Sequence, residues 1–521
     1  MTAPDPDGGG DIAALAKGGR TNFFGFLLRL AARLPFLFIA GQLYGPELLG
    51  RFAYAVIVIE FAAQLATLGL KRGLAEQLST TDKPHSCIVM DAIVAALLAS
   101  AIATIILMVF PQAMFPTGDL YGAEWLLPLV IFAIAGADVA LAALAYRHNI
   151  AATVKARAIV EPWTISIGAG LLYFVSSRDG LIFAYVLSVV AGLVASLWPL
   201  YKSYGLPSGW KPHPAELLFV ARKNIPLAAA DAIEWGSRRL DIAILGLFVG
   251  PYYVGVYYVA QQIASLPQKL KTSFDPILAP VVSQRLAEGD RKAVAQQVRQ
   301  VGFWVIAAQM GVALALAIPG EAVMGAVGSA FVGGTAALAF LLAAEVVAAT
   351  AAVSEAALVY VARHRNLMIS LLMIAVQAVL TVGFIVALDS MGRPESWQAA
   401  GAAVALTLSL GLASILKARL LCRLLGAPVQ GWRWPLAWAA AAAFLVGWAF
   451  SWLPAWVQLS FGFGLTLITF GFVVWKRGFT AEDRVLFRLR RKELEEPSLP
   501  PPLGTDAAAD IALSDGSGAS R

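Results

Sequence analysis

The feature that most constrains this chain is a succession of apolar segments, each long enough to cross a membrane. About 20 apolar residues in a helix span the ~30 Å hydrocarbon core of a bilayer. Because lipid offers the backbone no hydrogen-bond partners, such segments fold as helices. With 59% apolar and 14% charged residues, the chain also lacks the charge that covers a water-soluble protein of this length. The sequence therefore predicts an all-α integral membrane protein with fourteen transmembrane helices, at about 23–43, 52–70, 87–110, 124–146, 158–176, 181–201, 225–249, 253–270, 301–319, 337–361, 367–388, 398–417, 434–453 and 457–475.

The basic residues predict how these helices cross the membrane. One set of alternating loops, together with the two termini, holds 32 of the 39 lysines and arginines, whereas the other set holds only Arg51, Arg178 and Arg393. Cytoplasmic loops are enriched in basic residues. We therefore expect both termini in the cytoplasm and an even number of spans.

A short motif occurs twice in the chain. Residues 44–55 read YGPELLGRFAYA and residues 249–260 read VGPYYVGVYYVA. Each copy follows an apolar segment with an arginine twelve residues before its first glycine, at Arg33 and at Arg238. The matched residues, all at an offset of 205, are Gly45, Pro46, Gly50 and Ala55 with Gly250, Pro251, Gly255 and Ala260.

The repeat predicts the domain organisation. It makes spans 1–6 equivalent to spans 7–12, so two six-helix lobes (21–205 and 206–420) share one orientation and are related by a pseudo-two-fold axis along the membrane normal. An added helix pair (421–478) lies outside the repeat. Cytoplasmic segments flank these parts: residues 1–20, and residues 479–521 with a basic amphipathic helix at the membrane surface followed by a disordered tail. Two similar lobes with charges inside the bilayer are typical of a transporter.

Arginines in the first span of each lobe predict an anion-binding cavity. Arg29 and Arg33 lie four residues apart on one helix face, and each charge at mid-membrane depth costs about 2.5–3.5 kcal/mol. The alternative is that they pair with acids such as Glu60. Since Arg33 aligns with Arg238, the pseudo-two-fold places arginines of both lobes across one cavity. Arg binds phosphate or pyrophosphate through paired hydrogen bonds.

The seventh span carries further charges. Asp231, Glu234, Arg238 and Asp241 fall on one stripe of a continuous helix, with Arg239 beside it. Either these residues form a self-compensating ladder of ion pairs, or the stripe lines a wet cavity.

Asp138, in the middle of the fourth span, has no charged neighbour in that span. Either it pairs with an arginine, or it titrates as an ion-coupling site together with Glu60 and the acids of span 7. Neither a metal site nor a cofactor is predicted, because Cys87 and Cys422 are isolated.

Two stretches resemble a known family. Residues 239–260, RLDIAILGLFVGPYYVGVYYVA, resemble the span 7–8 signature of bacterial polysaccharide flippases, in the multidrug/oligosaccharidyl-lipid/polysaccharide exporter superfamily. Residues 42–50, QLYGPELLG, are similar to the opening hairpin of that family. The match in span number and lobe size extends over roughly residues 20–475.

The resemblance implies export rather than catalysis. It implies a flippase that moves undecaprenyl-diphosphate-linked oligosaccharide across the bacterial inner membrane for O-antigen (lipopolysaccharide), capsule or exopolysaccharide synthesis. It also implies alternating access, coupling to H⁺ or Na⁺, and substrate contacts from Arg29 and Arg33; Arg238 and Arg239 are the further candidates. Expected partners are the lipid-linked substrate, membrane lipids and the polymerase machinery, with no nucleic acid.

Two alternatives remain, one from the same superfamily and one from the enzymes. A multidrug or small-cation antiporter has the same superfamily plan, but its cavity should be acidic, and span 1 is doubly basic. A membrane polymerase or ligase for the same glycans usually needs a sizeable extracytoplasmic loop with catalytic residues, and only short ones are predicted.

Overall fold

A computed structural model describes residues 9–81, 83–116, 118, 120–272, 282, 285–286, 288–480 and 483. For residues 9–34, 150 and 269–272 it describes the helical backbone without the side chains. Within these ranges every regular element is helical. The predicted all-α class is confirmed.

The helices follow the chain in a simple order. Short 3₁₀ and π segments join some of them, notably the 3₁₀ turn Gly122–Leu129 before α4 and the π-helix Val154–Val160 between α5 and α6. The α-helices are α1 (Gly9–Ala66), α2 (Leu70–Thr80), α3 (His85–Val109), α4 (Val130–Tyr146), α5 (Ile150–Thr153), α6 (Glu161–Tyr173), α7 (Gly180–Tyr204), α8 (Pro214–Ser237), α9 (Leu240–Phe248), α10 (Pro251–Thr272), α11 (Arg291–Ala317), α12 (Gly320–Val327), α13 (Thr335–Val361), α14 (Arg363–Ser390), α15 (Glu395–Leu425), α16 (Pro435–Ser451), α17 (Ala455–Val457) and α18 (Phe463–Val473).

The outer surface of the bundle is apolar. In the described part of the chain, nine helical segments are long and apolar enough to cross a membrane, and the shorter α16 is also apolar. On α3, Ile102, Ile105 and Val109 are each more than 60% exposed. Contiguous exposed apolar surface of this kind suits lipid and not water. The chain has the character of a multi-pass membrane protein.

Spans 1 and 2 of the sequence prediction share α1. The helix is interrupted at Gly45, where φ is 73° and ψ is 175°. Residues with a Cβ rarely adopt this φ, so glycine is the residue that permits the interruption. Pro46 follows it and fixes the start of the second part, 46–66.

The first repeat motif packs against the second. An added Cβ at Gly50 would overlap the carbonyl oxygen of Pro251, and an added Cβ at Gly255 would overlap that of Pro46. These two contacts are equivalent under the offset of 205 residues. The second part of α1 and the start of α10 therefore cross at backbone contact, which only small residues allow.

The predicted seventh span is broken. α8 ends at Ser237 and α9 begins at Leu240, and Arg238 and Arg239 lie in the turn between them. The prediction of one continuous helix through residues 225–249 is wrong at this point.

The C-terminal helices pack against the second half through α11. A Cβ at Gly311 would lie 2.9 Å from the ring of Phe470, which shows how closely α11 and α18 approach. After the last helical segment, Asp483 is fully buried. Its carboxylate accepts hydrogen bonds from Arg433 (2.7 Å) and from Trp304 (2.9 Å). The amphipathic helix predicted within residues 479–521 lies almost entirely outside the described residues.

Candidate functional site

A cavity of about 380 Å³ lies between the two repeat halves. Most of its lining comes from α1, α4, α6 and α7 of the first half. The second half contributes Arg239 from the helix break and Tyr258, Gln262 and Leu266 from α10. Aromatic and apolar residues such as Phe36 line the remainder. A mixed polar and aromatic lining of this size suits an organic ligand with charged groups.

A chain of ionised side chains runs along one wall of the cavity. The ammonium of Lys71 lies 2.7 Å from one carboxylate oxygen of Asp138, and the guanidinium of Arg157 pairs with the other oxygen. Arg157 also pairs with Glu161 at 2.6 Å through its second amino group. Gln64 accepts a hydrogen bond from Lys71 at 2.8 Å. All five residues line the cavity.

Irregular backbone brings these side chains together. Lys71 follows a turn in which Leu68 and Gly69 both have positive φ, 51° and 68°. Arg157 lies in a π-helical segment, and Glu161, four residues later, begins α6. The extra residue of a π-turn rotates the side chains that follow it, and such turns are frequent at functional sites.

The described lining is formally neutral. It contains three cations (Lys71, Arg157 and Arg239) and three carboxylates (Glu60, Asp138 and Glu161). Burying an unpaired charge is expensive, so the ion pairs of Lys71 and Arg157 with Asp138 and Glu161 make these charges tolerable in a membrane. An anionic ligand therefore has to compete with carboxylates for these two cations.

Two close contacts join the halves on either side of the cavity lining. One is the backbone contact of Gly50 with Gly255. In the other, α2 packs against α8, where a Cβ at Gly69 would lie 2.7 Å from Leu227. Ion pairs surround this second contact: Arg72 with Asp231 (3.0 Å) and Glu234 (2.8 Å), Lys223 with Glu76 (3.1 Å), and Lys83 with Glu216 (2.7 Å).

Three of the predicted site residues line the cavity: Glu60, Asp138 and Arg239. Arg238 does not. Its side chain is about half exposed and faces Glu234 at 3.4 Å. The side chains of Arg29 and Arg33 lie outside the described residues, so their predicted position opposite Arg238 stays a prediction.

The predicted polar stripe on span 7 is wrong as a single surface. Asp231 and Glu234 face Arg72 on α2. Asp241, beyond the helix break, is fully buried and accepts hydrogen bonds from Tyr257 (2.6 Å) and Gln261. The break at residues 238–239 interrupts the helical periodicity and separates Asp241 from the other three side chains. Glu234 and Arg238 do form the i,i+4 ion pair of the ladder alternative, at 3.4 Å.

Asp138 takes the first of its two predicted roles, pairing with an arginine. The sequence pattern does not predict its partners, because Lys71 and Arg157 lie just outside the apolar segments 52–70 and 158–176. One signal was present: Arg157 and Glu161 have the i,i+4 spacing of a helical ion pair. This spacing indicates that helical structure begins before residue 158, where the fifth span was predicted to start. In the structure, α5 begins at Ile150.

Solved structures of similar fold are membrane transporters. An inward-facing multidrug resistance MATE family transporter of the MOP superfamily aligns over 77% of this chain and 98% of its own, with a TM-score of 0.61 and 15% identity. Lipid II flippase MurJ, in an inward closed conformation, aligns over 87% and 97%, with a TM-score of 0.61 and 12% identity. At these identities the similarity establishes the fold.

Curated protein sequences include no match to this chain. A family model described as "Polysaccharide biosynthesis protein" matches residues 41–324, more than half of the chain, and includes both repeat motifs. This match confirms the family that the motifs predicted. The chain belongs to the polysaccharide biosynthesis protein family.

Proposed function

We propose that this protein is a flippase that moves undecaprenyl-diphosphate-linked oligosaccharide from the cytoplasmic to the periplasmic leaflet of the bacterial inner membrane. The glycan is a repeat unit of O-antigen, capsule or exopolysaccharide. The family and the transporter fold support transport in polysaccharide synthesis. The observation that carries the proposal is the cavity between the halves, with Lys71, Arg157 and Arg239 in its lining.

The cavity chemistry fits a diphosphate linked to sugars. Arginine and lysine bind phosphate oxygens through charge-assisted hydrogen bonds. Tyr185, Tyr258 and Gln262 offer rings and an amide to a sugar. Arg29 and Arg33 are proposed as further cations of the same site.

The membrane potential favours export of such a substrate. Moving about two negative charges outward against an inside-negative potential releases roughly 4–5 kcal/mol per 100 mV. Coupling to H⁺ or Na⁺ adds to this, with Glu60, Asp231, Glu234 and Asp241 as the proposed acidic groups. Because Asp241 is fully buried with neutral donors, it suits a coupling role better than contact with the substrate.

The proposed architecture has fourteen spans, with both termini in the cytoplasm. Two six-helix lobes (21–205 and 206–420) alternate access around the cavity, and residues 421–478 form an added helix pair. The reciprocal contact of the two repeat motifs supports a pseudo-two-fold axis between the lobes.

Adjacent arginines allow a sharp test of this function. Arg239 lines the cavity, whereas Arg238 lies outside the lining and is about half exposed. Arg239→Ala should abolish or strongly reduce surface polysaccharide and cause lipid-linked intermediates to accumulate. Arg238→Ala is the matched control and should retain most of the activity. Normal glycan with Arg239→Ala, Arg157→Gln and Lys71→Gln alike would refute the anion-binding cavity.

A cation antiporter is the second candidate, because Glu60 lines the cavity without an ion-pair partner among the described side chains. The antiporter hypothesis predicts that Glu60→Gln lowers the resistance of the cells to cationic compounds and leaves surface polysaccharide intact. The flippase proposal predicts no effect on resistance. A polymerase would instead change the chain length of the polysaccharide while translocation continues.

A further inference from the structure

The carboxylate of Asp138 lies where two cations of the cavity converge. Lys71 approaches one of its oxygens from α2, and Arg157 approaches the other from the π-helical segment before α6. One carboxylate held between two cations is the geometry that an oxyanion of a phosphate would adopt at the same place. The carboxylate therefore occupies a ready-made anion site.

We propose that Asp138 is a positioning residue that fills the anion site of the empty transporter and is displaced by the diphosphate of the substrate. This inference rests on the proposed function. Asp138 holds Lys71 and Arg157 in place between transport cycles and offsets part of their charge. The substrate binds by taking over the two cations.

Second partners keep the cations in place after Asp138 leaves. Lys71 keeps its hydrogen bond to Gln64 at 2.8 Å. Arg157 uses different amino groups for its two carboxylates, so the pair with Glu161 at 2.6 Å remains when the edge toward Asp138 becomes free. The site is thus preorganised for an incoming anion, which lowers the ordering cost of binding.

The exchange of Asp138 for the substrate has a consequence for affinity. When a ligand must displace an internal competitor, its intrinsic affinity is multiplied by the fraction of time for which the site is free. Asp138 therefore weakens substrate binding, which favours release on the far side of the membrane. Removing its charge should tighten binding, whereas a purely structural role predicts weaker binding.

The test measures binding of inorganic pyrophosphate to the purified full-length protein in nanodiscs by calorimetry. Asp138→Asn should bind about tenfold more tightly than wild type if Asp138 occupies the cations about nine-tenths of the time. Lys71→Gln and Arg157→Gln should each bind about tenfold or more weakly. Glu355→Gln is the matched control, because Glu355 holds Lys417 (3.0 Å) in the other half, and its affinity should equal that of wild type.

A measurement on the wild-type protein covers the case in which Asp138→Asn does not fold. With isotope-labelled aspartate, pyrophosphate should shift a carboxylate infrared band toward that of a free carboxylate, and sodium chloride of equal ionic strength should not. An unchanged band under saturating pyrophosphate would overturn the inference.

The outcomes separate this inference from the proposed function. If wild type binds pyrophosphate and Asp138→Asn binds it equally or more weakly, Asp138 is a scaffold residue and only the inference fails. If neither protein binds pyrophosphate and Arg239→Ala makes normal polysaccharide, the anion-binding cavity itself is wrong.

Discussion

The carboxylate of Asp483 anchors the segment that follows the last helix. It is fully buried and accepts hydrogen bonds from Arg433, Trp304 and Thr480. Burial raises the pKa of the Asp483 carboxyl, but the hydrogen bonds from Arg433 and Thr480 outweigh burial and hold the pKa below its ordinary value. The ionised form is therefore the one that stabilises the anchor.

Asp483→Asn should lower the stability of the protein in a pH-dependent way. Loss of the charge-assisted hydrogen bonds should cost about 1.5–3 kcal/mol at pH 7. Because the folded pKa is lowered, this contribution is complete above the pKa of an unfolded aspartate, about 3.9, and is lost as the pH falls through the folded value. The measurement is Tm of both proteins across this range. A Tm difference that is independent of pH would contradict the assignment.

The partners of a single charged residue could be predicted only in part. A lone aspartate inside an apolar span requires a cation nearby, and this reasoning correctly predicted that Asp138 is paired. It did not identify Lys71, because that contact depends on the positive φ values at Leu68 and Gly69. Turns of this kind carry too weak a sequence signal to place a side chain.

At the scale of helices, the crossing of α1 and α10 depends on backbone contact at Gly50. Gly50→Ala should prevent this close crossing, because the added Cβ overlaps the backbone of Pro251 and not a movable side chain. We expect a loss of about 1–3 kcal/mol in stability. We also expect a population shift toward a state in which α1 and α10 are separated at this point.

Accessibility measures this shift. In a background without Cys87 and Cys422, a cysteine replacing Val56, which lines the cavity, should react faster with an impermeant maleimide from outside when Gly50 is alanine. Gly464→Ala is the control, since an added Cβ there meets nothing within 4 Å. Equal rates in both variants would contradict a gate at Gly50.

The sequence predicted where helices lie better than where they break. All fourteen predicted segments overlap helical backbone, because long apolar runs leave little choice of structure in lipid. The break at Arg238–Arg239 had only a weak sequence signal, the Gly236–Ser237 pair at the end of α8. It depends on tertiary partners on each side, Arg72 for α8 and Tyr257 for α9.

At the scale of the whole molecule, the orientation of the loops can be tested directly. Ser177, between α6 and α7, and Ser208, between α7 and α8, are both exposed. The distribution of basic residues predicts that Ser177→Cys reacts with an impermeant reagent in intact cells, and that Ser208→Cys reacts only after permeabilisation. The unsubstituted protein without Cys87 and Cys422 is the control. Labelling of both positions from one side would refute the predicted topology.

The repeat predicted that the two halves are equivalent, but it gave no contact between them. The backbone approach of Gly50 to Gly255 comes from the structure alone. A cavity does lie between the halves, but Arg238 is not part of its lining. Its cations differ, since Lys71 and Arg157 take positions that the alignment of Arg33 with Arg238 could not suggest.

The reciprocal contact of the two motifs has a consequence for the origin of the molecule. Gly50 of the first motif contacts Pro251 of the second, and Gly255 of the second contacts Pro46 of the first. The same pair of motif positions, glycine and proline, therefore meets twice, once in each direction. This is the rule for an isologous interface between identical subunits. A half-length ancestor that carried the motif once could have paired with a second copy through the same surface. Fusion of two such chains would then have joined the subunits of an existing homodimer.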